Sequence, residues 1–328
     1  MARKMRKKTK RKINKAIFSI IMVIILAIAG YFFKDELPGG FLNNDATVGG
    51  SVDGVPAITD PNYLTVHYID VGQGDSIFLA CGGEYMLIDA GENDDEDRAV
   101  RYLKNLGIDR IDLVVATHAH SDHIGEMDDV LNAIPATEIW YPDYRHGTKT
   151  EQRFLTAASN CGANLYEPEL GETYDLGGAT VTVLGPVKEY DDPNDMSIIV
   201  LVEFGDDRFL FTGDMENEDA AENDLVAYWG DEALRADVLK VGHHGSNTST
   251  SYHFLRAVSP AYAVISVGEG NEYGHPKPQT MDILGQAEVY VYRTDEMGDI
   301  VAISDGENIT FSWVRTENLP YIPPAKSE

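Results

Sequence analysis

The chain has 328 residues, 43% of them hydrophobic, which is enough for a sizeable buried core and excludes a disordered chain. Its formal net charge is −28, and this charge is unevenly divided. Residues 1–34 hold ten of the 26 Lys and Arg residues and no acid, so residues 35–328 carry 54 acidic and 16 basic groups. A surface this acidic excludes a broad nucleic-acid-binding face, which needs clustered basic side chains.

The first predicted element is a membrane span. Residues 16–33 form an 18-residue apolar run behind nine Lys and Arg residues. That length predicts a single transmembrane helix, and the basic segment 1–15 predicts a cytoplasmic N-terminus. The rest of the chain would then be extracytoplasmic at the cell membrane. The small residues of Ala27-Ile28-Ala29 also resemble a signal-peptide cleavage site, so secretion after cleavage is the alternative.

Residues 34–61 are rich in Gly, Asp, Asn and Pro and predict a flexible linker. A single folded domain is expected at 62–314, followed by a loose, proline-containing tail at 315–328. Mixed strands and helices predict an α/β sandwich within this domain. In chain order they are strands at 64–69, 76–80 and 85–88, a helix at 95–106, a strand at 113–117, a helix at 125–133, and strands at 179–184, 197–204, 207–212, 236–241, 261–267 and 288–292.

The two cysteines, Cys81 and Cys161, leave two possibilities open. They could pair in an oxidising compartment, or they could be two buried free thiols, because sequence separation does not show whether they meet.

A cluster of metal-binding residue types follows the predicted strand at 113–117. The segment THAHSDH places His118, His120, Asp122 and His123 within six positions. Imidazole and carboxylate together suit zinc and its neighbours. A loop at a strand end points alternate residues the same way, so the two histidines at 118 and 120 could bind one cation while Asp122 and His123 face a second.

This pattern resembles the signature of the metallo-β-lactamase superfamily. The resemblance covers about residues 62–314 and implies a four-layer αβ/βα sandwich, with two metal ions between the sheet edges and a bridging hydroxide that attacks the substrate. Zinc is the expected metal, and manganese is the alternative. The resemblance also makes Asp214, in Phe211-Thr212-Gly213-Asp214, the carboxylate that bridges the metals.

Two further elements match the same family. The segment LKVGHHGS at 239–246 ends a strand with two imidazoles, of which His243 is the expected ligand and His244 the expected substrate-facing or charge-stabilising group. Asp89, in LIDAG, fits the family's first short motif, in which a carboxylate orients the metal-binding loop by holding a ligating imidazole.

The segment DVGQGDS at 70–76 resembles the opening of the hydrolase domain of ComEC-type competence proteins. Four later segments agree in order, namely NDMS at 194–197, HHGS at 243–246, NEYGHP at 271–276 and YRTD at 292–295. The glycines beside Gln73 let the backbone approach closely, either at the active site or in a tight strand connection. His275 is a candidate proton donor or phosphate contact.

The sequence departs from the family pattern in two places. It has no histidine between His146 and Asp214, where many superfamily members carry another ligand of the first metal. The first metal could therefore be weakly held, could be manganese, or could be bound with help from Asp195. The multi-span channel of full competence proteins is also missing, since the sequence has one apolar span.

These observations predict an extracytoplasmic, metal-dependent phosphodiesterase or nuclease. The substrate would be a phosphoester, either a nucleic acid or an envelope polymer, and the sequence does not indicate an oligomeric state. The alternatives are a phosphocholine or teichoic-acid esterase, a carboxylic-ester, lactone or β-lactam hydrolase, and a metal-stabilised binding module without activity. The residues expected to act on the substrate are Asp122, Asp214, His244 and His275, and those expected to border the metals or the substrate are Asp70, Gln73, Asp75, Asp89, Asn194, Asp195, Ser197 and Lys240.

Overall fold

The described structure is a computed structural model covering residues 55–93, 96–217 and 220–314. The predicted span at 16–33, the predicted tail and most of the predicted linker lie outside these residues. Within the described ranges, no helix is both long and apolar enough to cross a membrane.

Short, almost wholly apolar strands form the centre of the domain, because such strands can bury both faces. The first half of the described chain contains β1 Leu64–Tyr68, β2 Ile77–Cys81, β3 Glu84–Ile88, α1 Arg98–Asn105, β4 Ile111–Val115, α2 Ser121–Ile124, α3 Met127–Ala133, β5 Ala136–Trp140, α4 Lys149–Cys161, β6 Asn164–Tyr166, β7 Thr173–Leu176 and β8 Ala179–Gly185.

The second half begins with an antiparallel strand pair and then alternates strands with helices. It contains β9 Ile199–Phe204, β10 Asp207–Phe211, α5 Ala221–Leu234, β11 Val238–Lys240, a 3₁₀ turn at Gly242–Gly245, α6 Tyr252–Val258, β12 Tyr262–Ile265, α7 Pro278–Gln286, β13 Tyr290–Arg293, α8 Thr294–Met297, β14 Asp299–Ser304 and β15 Ile309–Val314.

The strands form two mixed sheets with three hydrophobic clusters. One sheet has the order β15-β14-β1-β2-β3-β4-β5-β6 and the other β13-β12-β11-β10-β9-β8-β7. A central cluster that includes Tyr68, Trp140 and Phe211 fills the space between them. A second cluster packs α1, α3 and α4 on the first sheet, and a third packs α5, α6 and α7 on the other. This is the expected four-layer αβ/βα sandwich.

Parallel strands bring the chemical motifs to one edge of the sandwich. In the first sheet β3, β4 and β5 run parallel, and in the second sheet β10, β11, β12 and β13 do so. The segments containing Asp89, His118, Asp214 and His244 each follow the carboxyl end of one of these strands. Because parallel strands end on the same side of a sheet, residues far apart in sequence meet there.

The predicted elements agree with the structure to within a few residues, with informative exceptions. The predicted strand at 113–117 begins at Ile111 and ends at Val115, because Thr117 turns into the metal-binding loop. Ile58, inside the predicted linker, packs against the first helical core. The strands β14 and β15, absent from the predicted strands, extend the first sheet beyond β1.

Both cysteines are free thiols. Cys81 belongs to the core between the sheets, and its Sγ donates to the carbonyl of Gly177 over 3.3 Å. Cys161 ends α4 and packs against the helical core on the other side of the first sheet. The alternative of two free thiols is therefore the one the structure supports.

A buried carboxyl group ties β14 to the loop after β1. Asp299 Oδ1 accepts the backbone N–H of Asp70 over 2.8 Å. Burial raises the pKa of Asp299 to about 7, although the Asp70 N–H opposes this shift. Because the folded-state pKa exceeds the unfolded value of 3.8, this group stabilises the fold fully below about pH 4, and its contribution is lost as pH rises to about 7.

The variant Asp299→Asn keeps an oxygen acceptor but removes the charge that is costly at high pH. We expect its free energy of unfolding at pH 8 to exceed that of the wild type by about 1–3 kcal/mol, with little difference at pH 4. Urea unfolding at a series of pH values measures this, with the exposed Glu307→Gln as the control. Parallel pH profiles for wild type and Asp299→Asn would contradict the prediction.

Candidate metal centre

Four residues from three separate loops converge at the carboxyl ends of the parallel strands. Asp122, His123, Asp214 and His244 each offer one ligand atom, and all four atoms lie within 4.8 Å of one another. Asp214 stands at the middle, with Oδ2 3.2 Å from His123 Nε2 and 3.5 Å from His244 Nε2. His244 Nε2 also lies 3.3 Å from Asp122 Oδ2. The group therefore has the donor types and spacing of a divalent cation site.

The hydrogen bonding of these atoms fits a cation. His123 Nε2, His244 Nε2 and Asp214 Oδ1 are buried without a hydrogen-bond partner among the described residues. Burial opposes charge on Asp214, but the nearby His123, His244 and His243 hold the pKa of its carboxyl well below the usual range. Burial likewise disfavours protonated His123, yet Asp214 and Asp89 raise its pKa well above the usual value. A bound cation would replace this proton and satisfy the unpaired atoms.

The structure places the two adjacent histidines differently from one another. His244 is 1% exposed and faces Asp122 and Asp214, so it, and not His243, belongs to the converging group. The side chain of His243 is 26% exposed, and its Nε2 lies 3.7 Å from Asp214 Oδ2. Its Nδ1 lies 2.6 Å from Glu216 Oε1. Because both histidines have left-handed backbone angles, φ 45° and 51°, the turn points one ring inward and the other into the cleft.

A second pair of imidazoles lies beside this group. His118 Nε2 is 3.1 Å from His120 Nδ1, and the rings of His118 and His123 are 4.1 Å apart between centroids. Burial lowers the pKa of both His118 and His120, so the two nitrogen lone pairs are available to a cation. His118 and His120 are thus together where the first metal is expected.

Asp89 contacts the loop that contains Thr117 and His123. Its Oδ1 accepts the backbone N–H of Thr117 over 2.8 Å, and its Oδ2 accepts the Thr117 hydroxyl over 2.7 Å. Oδ2 also lies 2.7 Å from His123 Nδ1, which leaves His123 Nε2 pointing toward Asp214. Asp89 is fully buried, so the loop orientation depends on this carboxylate.

Asp75 and Lys240 form a buried ion pair behind His244. Lys240 Nζ lies 2.7 Å from Asp75 Oδ2, and both side chains are about 2% exposed or less. Burial opposes ionisation of Asp75, but Lys240 and His244 lower its pKa to about 2. Asp75 Oδ1 is 3.4 Å from His244 Nδ1, which is also 2.9 Å from the carbonyl of Ser266. The pair therefore orients the ring of His244 from the side away from the cleft.

Gly74 explains why the DVGQGDS loop can lie so close to the metal-binding loop. A Cβ at this position would be 2.2 Å from the backbone oxygen of Asp122, and φ is +133°. The adjacent Asp75 N–H donates to that same oxygen over 3.1 Å. Gln73 lines the cleft, and its Oε1 accepts from Gly268 N over 3.3 Å. Asp70, by contrast, is tied to Asp299 and is not among the described residues that line the cleft.

The NDMS segment has three different roles. Asn194 lines the cleft, and its buried Oδ1 has no hydrogen-bond partner among the described residues. Ser197 Oγ accepts the backbone N–H of Asp214 over 3.1 Å and lies 3.4 Å from His118 Nδ1. Asp195 accepts the N–H of Glu216 over 2.8 Å, and it is not among the described cleft-lining residues. Asn194 is therefore better placed than Asp195 to complete the first metal site.

The metal-binding residues open into a cleft of ≈ 520 Å³. His275 borders it with its ring 5.6 Å from that of His243 between centroids. Burial and the charges of His243 and His244 lower the pKa of His275 to about 4. An imidazole with this pKa is neutral at pH 7, which favours a substrate contact over proton donation. The described lining consists of Gln73, Ala119, His120, Ser121, Asp122, His146, Thr148, Thr150, Asn194, Asp214, His243, His244, Tyr273 and His275.

Several residues of this site were not found from the sequence. His146 comes early in the chain for a ligand of the first metal, but its ring lies 5.3 Å from that of His120 between centroids. Glu216 orients His243, and its alternation with Asp214 after β10 was an available signal. Tyr273 lies in the NEYGHP segment but had no role assigned to it, and Thr148 and Thr150 line the cleft without a motif of their own.

The fold and this cluster define a class of protein. Residues 69–269 match the family model of the metallo-beta-lactamase superfamily. The chain belongs to this superfamily, and the resemblance read from its motifs is confirmed. Membership supports the expected metal-dependent hydrolase and divalent metal ions.

Two curated relatives indicate which branch of the superfamily the chain is similar to. ComE operon protein 3 of Bacillus subtilis (strain 168) is 31% identical over 256 residues, which are 72% of this chain and 32% of that protein. Competence protein ComA of Neisseria gonorrhoeae is 31% identical over 253 residues, 76% of this chain and 34% of that protein. The chain thus spans about a third of the length of these curated relatives.

A solved structure supports the fold alone. The metallo-beta-lactamase fold protein YhfI from Bacillus subtilis aligns with a TM-score of 0.50 and 12% identity, covering 74% of this chain and 99% of that one.

Replacing Asp89 tests how the metal-binding loop is held. In Asp89→Asn the amide cannot hold the His123 imidazole as the carboxylate does, so we expect the affinity for Zn²⁺ or Mn²⁺ to fall roughly 10- to 100-fold. Calorimetric titration of the full-length chain measures this, with circular dichroism to verify folding. Asp206→Asn, in the exposed turn at the opposite end of β10, is the matched control. An unchanged affinity in Asp89→Asn would refute the orienting role.

Proposed function

We propose that the chain is a metal-dependent phosphodiesterase that cleaves nucleic acid. The observation that carries this proposal is the convergence of His118 and His120 with the group of Asp122, His123, Asp214 and His244 on one cleft. Such a donor set fits two neighbouring cations, and paired cations about 3.5–4 Å apart suit displacement at a phosphodiester. The relation to competence proteins supports this substrate class.

Each residue would have a separate task in this reaction. When bound, the divalent cations would supply activation of water and neutralisation of phosphate charge. Asp214 would hold both cations, because its carboxylate stands between the imidazoles at the centre of the cluster. His243 borders the cleft with its Nδ1 fixed by Glu216, so its Nε2 is directed toward the substrate side. His275 would contact a phosphate oxygen or a bridging oxygen as a neutral imidazole.

The negative charge of the chain is consistent with a substrate that is bound at the cleft and not by the rest of the surface. The described residues lining the cleft include no Lys or Arg, and the net charge of the chain is −28. Contact with a polyanion would therefore be confined to the cations and the imidazoles around them, since the acidic surface repels the remainder. This favours short contacts with the scissile region over tracking along a long strand.

Cleavage of circular single-stranded DNA tests the activity. We expect the full-length chain loaded with Mn²⁺ or Zn²⁺ to linearise the circle, because this cleavage needs no free end. His120→Ala should reduce the rate at least about 100-fold, since the first cation loses one of its imidazoles. His253→Ala, an exposed histidine on α6, should cleave like the wild type.

Three other substrates, a β-lactam, a lactone and a phosphocholine ester, separate this activity from its alternatives. Metal-dependent cleavage of DNA that is lost in His120→Ala, with no hydrolysis of a β-lactam or a lactone, is the expected result. Metal-loaded, folded protein that leaves DNA intact but hydrolyses a phosphocholine ester would overturn the nuclease in favour of an envelope esterase. Hydrolysis of the lactone alone would overturn a phosphodiesterase of either kind.

The membrane anchor is a separate part of the proposal. Residues 16–33 would hold the catalytic domain at the outer side of the cell membrane, as their length and basic flank indicate. We expect the full-length chain to sediment with membranes after an alkaline carbonate wash, and to be digested by protease added outside spheroplasts. Release of a shortened chain into the medium would show cleavage at the predicted signal site instead.

A further inference from the structure

A largely exposed aromatic side chain lies at the mouth of the metal cleft. Tyr273 lines the cleft and is 55% exposed. Its ring is stacked on that of His275, with centroids 5.8 Å apart and planes 29° from parallel. The imidazole of His275 lies beside the Tyr273 ring, and more than half of Tyr273 is nevertheless exposed. Tyr273 is the one Phe, Tyr or Trp among the described cleft-lining residues.

A row of rings connects this tyrosine to the metal-binding residues. The ring of His275 is 5.6 Å from that of His243 between centroids, and His243 Nε2 is 3.7 Å from Asp214 Oδ2. Tyr273 is the next ring in this row after His275, and it lines the same cleft as Asp122, Asp214 and His244. Tyr273 is therefore placed to contact the group that is attached to a phosphate bound at the metal centre.

The loop that holds Tyr273 is braced by its own hydrogen bonds. Asn271 Nδ2 donates to the carbonyls of Gly268 and His275 over 3.0 and 2.7 Å, and its Oδ1 accepts from His275 N over 3.0 Å. Lys277 Nζ donates to the carbonyl of Tyr273 over 2.5 Å. Because the loop already holds the ring in place, little conformational entropy is lost when a ligand stacks on it, and this favours affinity.

We propose that Tyr273 is a stacking platform for an unpaired nucleobase next to the scissile phosphodiester, so that the substrate is single-stranded nucleic acid. The proposal rests on the proposed phosphodiesterase function. Every base has a π face, so stacking on an aromatic ring binds single strands with little regard to sequence. It also requires no Lys or Arg side chain, which suits a cleft whose described lining includes neither.

The surroundings of the ring favour a base over a choline group. Quaternary ammonium groups are bound by several aromatic faces that surround the cation. Tyr273 is the one Phe, Tyr or Trp among the described cleft-lining residues, and its stacked neighbour is an imidazole that also borders the cleft. A flat base fits a single flat platform.

Comparison of two substrates tests this proposal with the full-length, metal-loaded chain. The first is a short single-stranded oligonucleotide, and the second is an oligomer of the same length in which every base is missing. We expect Tyr273→Leu to raise KM for the oligonucleotide roughly 5- to 100-fold, the range that aromatic–base stacking implies. KM for the abasic oligomer should stay within about twofold of the wild type. Tyr273→Phe should retain the wild-type KM, because it keeps the ring.

A control variant and a binding measurement complete the design. Tyr252→Leu removes a tyrosine that is 61% exposed and is not among the described cleft-lining residues, and it should change neither KM. Quenching of 2-aminopurine within the oligonucleotide reports stacking without turnover. We expect quenching with the wild type and Tyr273→Phe and none with Tyr273→Leu.

The outcomes separate this inference from the function on which it rests. If the wild type cleaves both oligomers and Tyr273→Leu changes their KM values equally or not at all, the phosphodiesterase stands and the stacking platform is overturned. Quenching that depends on Tyr273 in a chain that cleaves neither oligomer would support the platform and reject the activity. A loss in Tyr273→Leu that is confined to a phosphocholine ester would overturn the base-stacking proposal and assign the ring to choline.

Discussion

The site is built around a buried negative charge, and a positive charge must accompany it. Asp214 is 1% exposed, so its carboxylate is removed from water. Imidazole nitrogens of His123, His244 and His243 lie 3.2, 3.5 and 3.7 Å from its Oδ2. Taking a carboxylate out of water is costly unless a positive charge accompanies it. Protons on the imidazoles partly provide this charge, as the raised pKa values of His123 and His244 show, although burial acts against both. Divalent cations would provide it without protonating the ligands.

The surrounding structure keeps these ligands in place by a set of buried polar contacts. Asp89 orients His123, the pair of Asp75 and Lys240 supports His244, and Ser197 binds the backbone of Asp214. Each contact is made between loops that leave different strands. The positions of the metal-binding side chains therefore depend on contacts between loops, and disturbing one of these contacts would loosen ligands that it does not itself touch.

The same cleft combines ligands for cations with a wall of neutral groups. His275 is neutral at pH 7, Gln73 and Asn194 are amides, and Tyr273 is aromatic. Such a wall adds no net charge to an acidic chain, so recognition would depend on shape, stacking and hydrogen bonds around a phosphate held by cations. This division of tasks reconciles an anionic substrate with a net charge of −28.

The sequence alone determined the superfamily and the sandwich fold, and it identified most of the side chains that the structure brings together at the candidate metal centre. This was possible because the THAHSDH segment is local, and because apolar strands ending in polar motifs identify one edge of a sheet. The order of DVGQGDS and the later segments also identified the competence-protein branch. Strands β5, β6, β7, β14 and β15 were not among the predicted strands, and β14 joins the first sheet through β1, at the other end of the described chain.

Only the tertiary structure decided which of two adjacent histidines faces the metal group. His243 and His244 are neighbours of the same residue type, and the left-handed turn that separates their rings depends on packing with Gly213, Ser266 and Asp75. The same reason applies to Asn194 and Asp195, to His146 and to Tyr273. Their side-chain directions are set by elements remote in sequence, so no local pattern could reveal them.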